Sequence, residues 1–466
     1  MPSSVLTVRG DQIVDGSGNI VSLRGYNIGG WMNMENFLTG YPGTESGQRQ
    51  VLHQVLGPEL YDAFFDRFMD VFFADADARY LASLGLNSVR IPFNYRHFED
   101  DARPFELKPE GFALLDRAIG HCARNGLYAI LDFHALPGAQ NQHWHSDNAT
   151  HLAGFWTYRH FQDRVVRLWE ALAERYRGNA TVAGYNIMNE PADPSGTLIK
   201  PFYDRVTEAV RAIDRDHIIF LDGNRYSTDF SAFEDGPVYP NTVYAAHDYA
   251  LPGFVDGGPY PGVSRGVYVD RKAVEETFLR RTEFMRRTGT PIWIGEFGPV
   301  FTGDLERDEQ KYELLSDQLD IYQRYGASWS MWAYKDMGAE GLVSAAPDSP
   351  WVERIRDVLA KKARLGVDAW GTVDTGIRNI MAPIEETFAK EYPGFDPFPF
   401  GQQNWIMTLV RGILLAQPML EDFGRCFAGV TDAATVHALA DSFMLENCVI
   451  RSRLAAMLAG SAREAG

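Results

Sequence analysis

From Ser22 onward the chain alternates short apolar runs with longer stretches whose apolar residues recur at helical spacing. The runs are Ser22 to Asn27, Ser88 to Phe93, Tyr128 to Phe133, Ala183 to Met188, His217 to Leu221, Thr242 to Ala246, Pro291 to Gly295 and Ser328 to Trp332. Between them, stretches such as Phe112 to Asn125, Phe161 to Arg177, Pro201 to Asp214 and Val274 to Thr288 read as amphipathic helices with Gly or Asn near their ends. Eight strand–helix units predict an α/β fold, a (β/α)8 TIM barrel with generous loops. Ahead of it, Ser4 to Arg24 alternates apolar and polar residues on both sides of Asp15-Gly16-Ser17-Gly18-Asn19, which predicts an N-terminal β-hairpin turning on that cluster.

The rhythm changes near Leu365. No further strand-like run follows, and Trp405 to Ala416, Asp432 to Phe443 and Asn447 to Leu458 are helical by pattern. The expected division is a catalytic barrel with its hairpin over 1–364 and an all-α C-terminal extension over 365–466, packed on the barrel. Between them, Tyr392 to Gly401 is too rich in proline for regular structure and too aromatic for a solvated linker, so it reads as a strap lying on the barrel.

At 466 residues the chain is long enough for a large core, and its composition is globular, with 45% hydrophobic and 13% aromatic residues. A formal charge of -18 and the lack of a basic patch speak against nucleic acid or anionic membrane surfaces as partners. Cys122, Cys426 and Cys448 are too few and too scattered for a disulfide frame and read as buried thiols. Met1 to Arg9 has neither a basic segment nor an apolar one, and no stretch approaches the roughly 18 apolar residues of a membrane span. A cytoplasmic protein is expected, or a secreted one if a leader has been removed.

In such a barrel the site forms at the carboxyl ends of the strands. There the sequence places Arg90 within the closing Val89-Arg90-Ile91-Pro92 of run two, His134 after run three, Asn189-Glu190-Pro191 after run four, His247 and Tyr249 after run six, Glu296 after run seven and Trp332 at run eight. Glu190 and Glu296 are 106 positions apart yet fall on one rim. Cleavage of a glycosidic bond needs such a pair, one carboxyl protonating the leaving oxygen and the other attacking or activating water. Trp31 after run one and Trp144 after run three add flat apolar faces that suit sugar rings.

These motifs resemble glycoside hydrolase family 5, the cellulase-like retaining hydrolases of the (β/α)8 clan, over roughly Ser22 to Trp332. The most specific elements are Asn189-Glu190-Pro191, Gly295-Glu296-Phe297-Gly298 and the first-strand stretch Leu23 to Trp31. The resemblance implies that Glu190 is the acid/base, that Glu296 is the nucleophile, and that Arg90, His134, Asn189, His247, Tyr249 and Trp332 bind substrate. It implies no cofactor and no metal. Glu190 is then expected to have a raised pKa and Glu296 to stay ionised beside Arg90 and Tyr249.

The sugar, the linkage and endo against exo action stay open within this family, as does transglycosylation, which shares the covalent intermediate. No linker to a separate carbohydrate-binding module is visible. Two long loops, Met34 to Leu52 and Ala135 to Leu152, are placed to close a cleft into a pocket, so exo action on a small β-linked oligosaccharide or glycoconjugate is expected. A sugar-binding protein on a decayed barrel is the non-enzymatic alternative. Gly262-Val263-Ser264-Arg265-Gly266 matches a serine nucleophile elbow in form, but it closes a Pro- and Gly-rich loop instead of joining a strand to a helix. His143, His145 and His151 lie in one loop without the spacing of a metal site. The helical tail is a candidate homo-oligomer surface.

Overall fold

A computed structural model describes residues 2, 4–234, 239–368, 370 and 373–463. Eight parallel strands close a barrel: β1 (Arg24–Asn27), β2 (Ser88–Asn94), β3 (Tyr128–Ala135), β4 (Val182–Asn186), β5 (Ile218–Asp222), β6 (Thr242–His247), β7 (Ile292–Glu296) and β8 (Ser328–Met331). Each pairs with its neighbours in sequence, and β8 returns to β1 through Trp329 with Arg24, Ser330 with Gly25 and Met331 with Tyr26. Nearly all of these strand residues are buried, because helices cover the outside and side chains fill the inside. The chain folds as a (β/α)8 barrel at the eight runs that the hydrophobic pattern marks.

The hairpin closes the amino-terminal end of the barrel, with Leu6 and Ile13 packed on Leu23, Ile218, Phe220 and Trp293. Its turn differs from the expected one. Thr7–Arg9 pairs with Gln12–Val14 around Gly10, which takes φ +60 at no steric cost, while Asp15 to Asn19 makes a second turn. There Asp15 Oδ1 accepts from the backbone N–H groups of Ser17 and Asn19, both at 2.9 Å.

The helices Pro109–Arg124, Arg159–Tyr176 and Ile199–Ile213 lie where periodicity puts them. The stretch from Val274 to Thr288 is instead two helices, Arg271–Arg281 and Glu283–Thr288, broken at Thr282. Met34 to Leu52 is also not one loop. Glu45 begins a long helix, Glu45–Val71, capped by Thr44 and kinked at Gly57-Pro58.

Beyond 364 the chain shares one hydrophobic core with the barrel helices. Phe443, fully buried, meets Phe68, Phe72 and Trp351 at ring separations of 5.3, 5.7 and 5.9 Å. Lys362 donates to the carbonyls of Asn36, Gly40 and Tyr41 and pairs with Asp368, tying the start of the tail to the loop after β1. The tail is not purely helical: Cys448–Ile450 is a strand antiparallel to Val343–Ala345, so the helix expected from Asn447 begins at Ser452. A three-residue strand forms there because the loop after β8 offers it an open edge. The strap reaches the site rim, with Phe400 5.0 Å from the Tyr226 ring and Phe398 under the Arg225 guanidinium.

Candidate active site

Arg90 leaves β2 pointing into the barrel mouth, has no exposure, and uses every edge of its guanidinium. Nη1 donates to Glu296 Oε1 at 2.7 Å and Asn27 Oδ1 at 2.9 Å, Nη2 to Asn189 Oδ1 at 2.7 Å, and Nε to Asn186 Oδ1 at 2.9 Å. Asp132 lies 3.1 Å from Nη2. Five side chains, four from β1, β3, β4 and β7 and Asn189 from just beyond β4, are thus set around one planar cation, which explains their fixed relative placement.

Glu190 stands just beyond β4 in a left-handed conformation, φ +46. For a non-glycine residue this costs on the order of 1–3 kcal/mol and persists only where neighbours over-determine it. Here Asp222 accepts the Glu190 N–H at 3.0 Å, and Asn141 donates to the Glu190 carbonyl at 3.0 Å. The carboxylate then meets His247 Nδ1 at 2.7 Å and His145 Nε2 at 3.1 Å. Glu296 receives the Tyr249 hydroxyl at 3.0 Å in addition to Arg90, and His247 Nδ1 is 3.5 Å away. Carboxylate oxygens of Glu190 and Glu296 and a His247 nitrogen lie within 4.8 Å of one another. This trio is the one compact donor set among the described residues, and Arg90 already supplies positive charge to it.

Both carboxylates are nearly enclosed, Glu190 7% and Glu296 5% exposed. Burial pushes Glu296 up, and the charges of His247 and Arg90 counter it without reversing it. For Glu190 burial also works upward, but the contacts with His145 and His247 outweigh it and hold the carboxyl well below its usual range. His247 moves up, against burial, through Glu296 and Glu190. The expected order is therefore reversed in this structure, because His145 and His247 favour the ionised form of Glu190 while burial holds Glu296 up. Burial likewise opposes charge on His134, yet Asp132, 2.7 Å from its Nδ1, leads the groups that raise it to about 10.

Trp332 stacks on His134 at 5.2 Å and 15°. Gly29 makes room for it, since a Cβ there would lie 2.7 Å from the indole. Trp144 sits at the rim and donates to Glu35 Oε2 at 3.2 Å, joining the loops after β3 and β1. Trp31 does not belong to the site. It is fully buried against Phe73, donates to the Met69 carbonyl at 3.0 Å, and serves the core between the barrel and the Glu45–Val71 helix. Ser264 of the elbow-like match lies in a β-hairpin, buried, with its hydroxyl toward the Pro259 carbonyl, so it is no nucleophile elbow.

The barrel mouth thus holds Arg90, His134, Asn189, Glu190, His247, Tyr249, Glu296 and Trp332 in one cluster, a set with the parts that glycoside cleavage needs. A family model for cellulases, glycosyl hydrolase family 5, matches residues 66–338. The chain belongs to glycoside hydrolase family 5. Within this family it is similar to a β-xylosidase of Phanerodontia chrysosporium, 45% identical over 470 residues and 98% of both chains. Endoglucanase C of Acetivibrio thermocellus is 22% identical over 65% of this chain and 95% of its own. A solved hyperthermostable endocellulase superposes with a TM-score of 0.52 at 17% identity, over 73% of this chain and 94% of that one, a likeness of fold. The protein is a glycosidase with a carbohydrate substrate, and no helix among its described residues is long and apolar enough to cross a membrane.

Several residues of this family 5 site escape a reading by motif. Asn27 and Asn186 point inward from β1 and β4 to Arg90, a role marked only by polar side chains inside apolar strands. Asn141 and Gln140 hold the strained Glu190 segment from the loop after β3. His145, read as part of a loop wall, touches the acid/base candidate directly. Glu340 and Trp370, beyond β8, carry no local signal at all.

Proposed function

We propose that this chain is a retaining, end-acting β-glycosidase of small oligosaccharides or glycoconjugates. The observation that carries the mechanism is the approach of the Glu190 and Glu296 carboxylates to within 4.8 Å. Retaining enzymes place the two carboxyl groups about 5–5.5 Å apart, whereas inverting enzymes hold them roughly 6.5–9.5 Å apart to admit a water.

Glu296 attacks the anomeric carbon, with Arg90 and Tyr249 favouring its ionised form. The carbon–oxygen bond to the aglycone breaks as Glu190 delivers a proton, drawn from the His247 contact at 2.7 Å, to the departing oxygen. Water then enters, gives its proton to Glu190, and its oxygen displaces Glu296 from the sugar. Asn189, set by Arg90, is placed to hold the ring hydroxyl next to the anomeric carbon.

End action is supported by the near-complete enclosure of both carboxylates and by the Trp144–Glu35 bond, which ties the loops after β3 and β1 together at the rim. The similarity to a protein named β-xylosidase adds to it. The test is release from aryl β-glucoside, β-xyloside, β-mannoside, β-galactoside, β-galactofuranoside and α-arabinofuranoside, with Glu296→Ala alongside. Release from one of them that disappears in the variant, with the β-anomer formed first by NMR, supports the reading. An α-anomer formed first refutes retention, and a rapid fall in the viscosity of a long soluble glucan refutes end action.

A further inference from the structure

Glu35 and Glu340 are further carboxyl groups enclosed at the barrel mouth, beside the reacting pair. Glu35, from the loop after β1, is 5% exposed; its Oε2 accepts from Trp144 and its Oε1 is 3.7 Å from His134 Nε2. Glu340, in the loop after β8, has no exposure. Its Oε1 accepts the indole N–H of Trp370, and its Oε2 has no hydrogen-bond partner among the described residues.

The surroundings tie Glu340 to the sugar site. Trp370 packs edge-on to Tyr249 at 5.3 Å, and Tyr249 donates to Glu296. Ala339, Trp370 and Tyr249 lie against the cluster of Phe37, Leu38 and Trp332, whose indole stacks on His134. Burial, with Asp336, Glu35 and Glu296 facing it, pushes the Glu340 carboxyl well above the usual range, against the Trp370 bond. That shift favours the protonated form, which can donate one hydrogen bond and accept another.

A buried carboxyl oxygen without a partner is uncommon, because its desolvation is left uncompensated. A sugar hydroxyl, both donor and acceptor, is the group that completes a neutral carboxyl. We propose that Glu340, oriented by the Trp370 indole, binds a glycone hydroxyl remote from the anomeric carbon, opposite Glu35, and so selects which sugar the pocket accepts. The inference rests on the end-acting reading, since a carboxyl at this position ends the subsite. It makes Trp370, from beyond the barrel, a positioning residue.

The test compares the wild type with Glu340→Ala, Glu340→Gln and Trp370→Phe on the aryl glycoside released best, and on analogues that each lack one of its glycone hydroxyls beyond C2. Glu340→Ala is expected to lower kcat/KM for the parent by roughly 10- to 100-fold, the effect of losing a buried hydrogen bond to substrate. For the analogue lacking the contacted hydroxyl the loss shrinks to under about threefold. Glu340→Gln recovers most activity, and Trp370→Phe raises KM with kcat little changed. Parent-to-deoxy ratios taken within one preparation do not depend on how much of a variant folds. Equal losses on the parent and all the deoxy analogues, or no loss, overturn the proposal. Should the wild type cut only inside polymers, the end-acting reading fails on its own. Glu340 is then judged on that polymer: loss in Glu340→Ala restored by Glu340→Gln supports it, and equal loss in both overturns it.

Discussion

Replacing Arg90 by methionine keeps the length of the side chain and removes one cation from the contacts described above. Two buried carboxylates, Asp132 at 3.1 Å and Glu296 at 2.7 Å, lose it together. Removing one partner of a buried pair costs about 3–5 kcal/mol. Unfolding entropy of roughly 2.1 cal/mol/K per residue over 466 residues makes about 1 kcal/mol equivalent to about 1 °C, so Tm falls by about 3–5 °C. Catalysis suffers separately. Burial already raises the Glu296 carboxyl, and without Arg90 it rises further, so the acid limb of the kcat/KM profile moves to higher pH. Below that limb the rate drops about tenfold for each unit of the move. Calorimetry and a pH–rate profile on an aryl glycoside check both effects. An acid limb that stays in place with Tm within about 1 °C of the wild type refutes the reasoning.

Phe443→Ala, at a fully buried ring between Phe68, Phe72 and Trp351, costs about 3–5 kcal/mol and lowers Tm by a similar number of degrees, with kcat/KM at 25 °C unchanged. Ending the chain at Leu365 uncovers that whole apolar face and yields aggregated protein by light scattering; a soluble, fully active truncation refutes this. His134, raised from 6.5 to about 10, contributes stability that is fully present below about pH 6.5 and lost as pH rises through about 10. Tm measured across that window falls more steeply in the wild type than in His134→Gln, and parallel profiles contradict the assignment.

What local sequence determined is the barrel and its chemistry. Runs of apolar residues at eight positions become buried parallel strands because only strands covered on both faces need no polar alternation. Polar residues in or just after the carboxyl ends of such runs gather at one end of the barrel, so Arg90, His134, Glu190, His247 and Glu296 share one mouth whatever their separation in sequence. The reading fails where the deciding partner is remote. Trp31 looks like a rim aromatic until the Glu45–Val71 helix covers it. Cys448–Ile450 looks helical until Val343–Ala345 offers an edge. The pKa order of Glu190 and Glu296 depends on His145 and His247 approaching one carboxylate and Arg90 the other, distances that no motif encodes. Glu340 and Trp370 lie beyond the last barrel strand, and only packing of the C-terminal region against Tyr249 brings them to the sugar site. Periodicity is a property of neighbours along the chain and is legible in it. Hydrogen-bond geometry and desolvation are properties of neighbours in space, and only the folded chain supplies them.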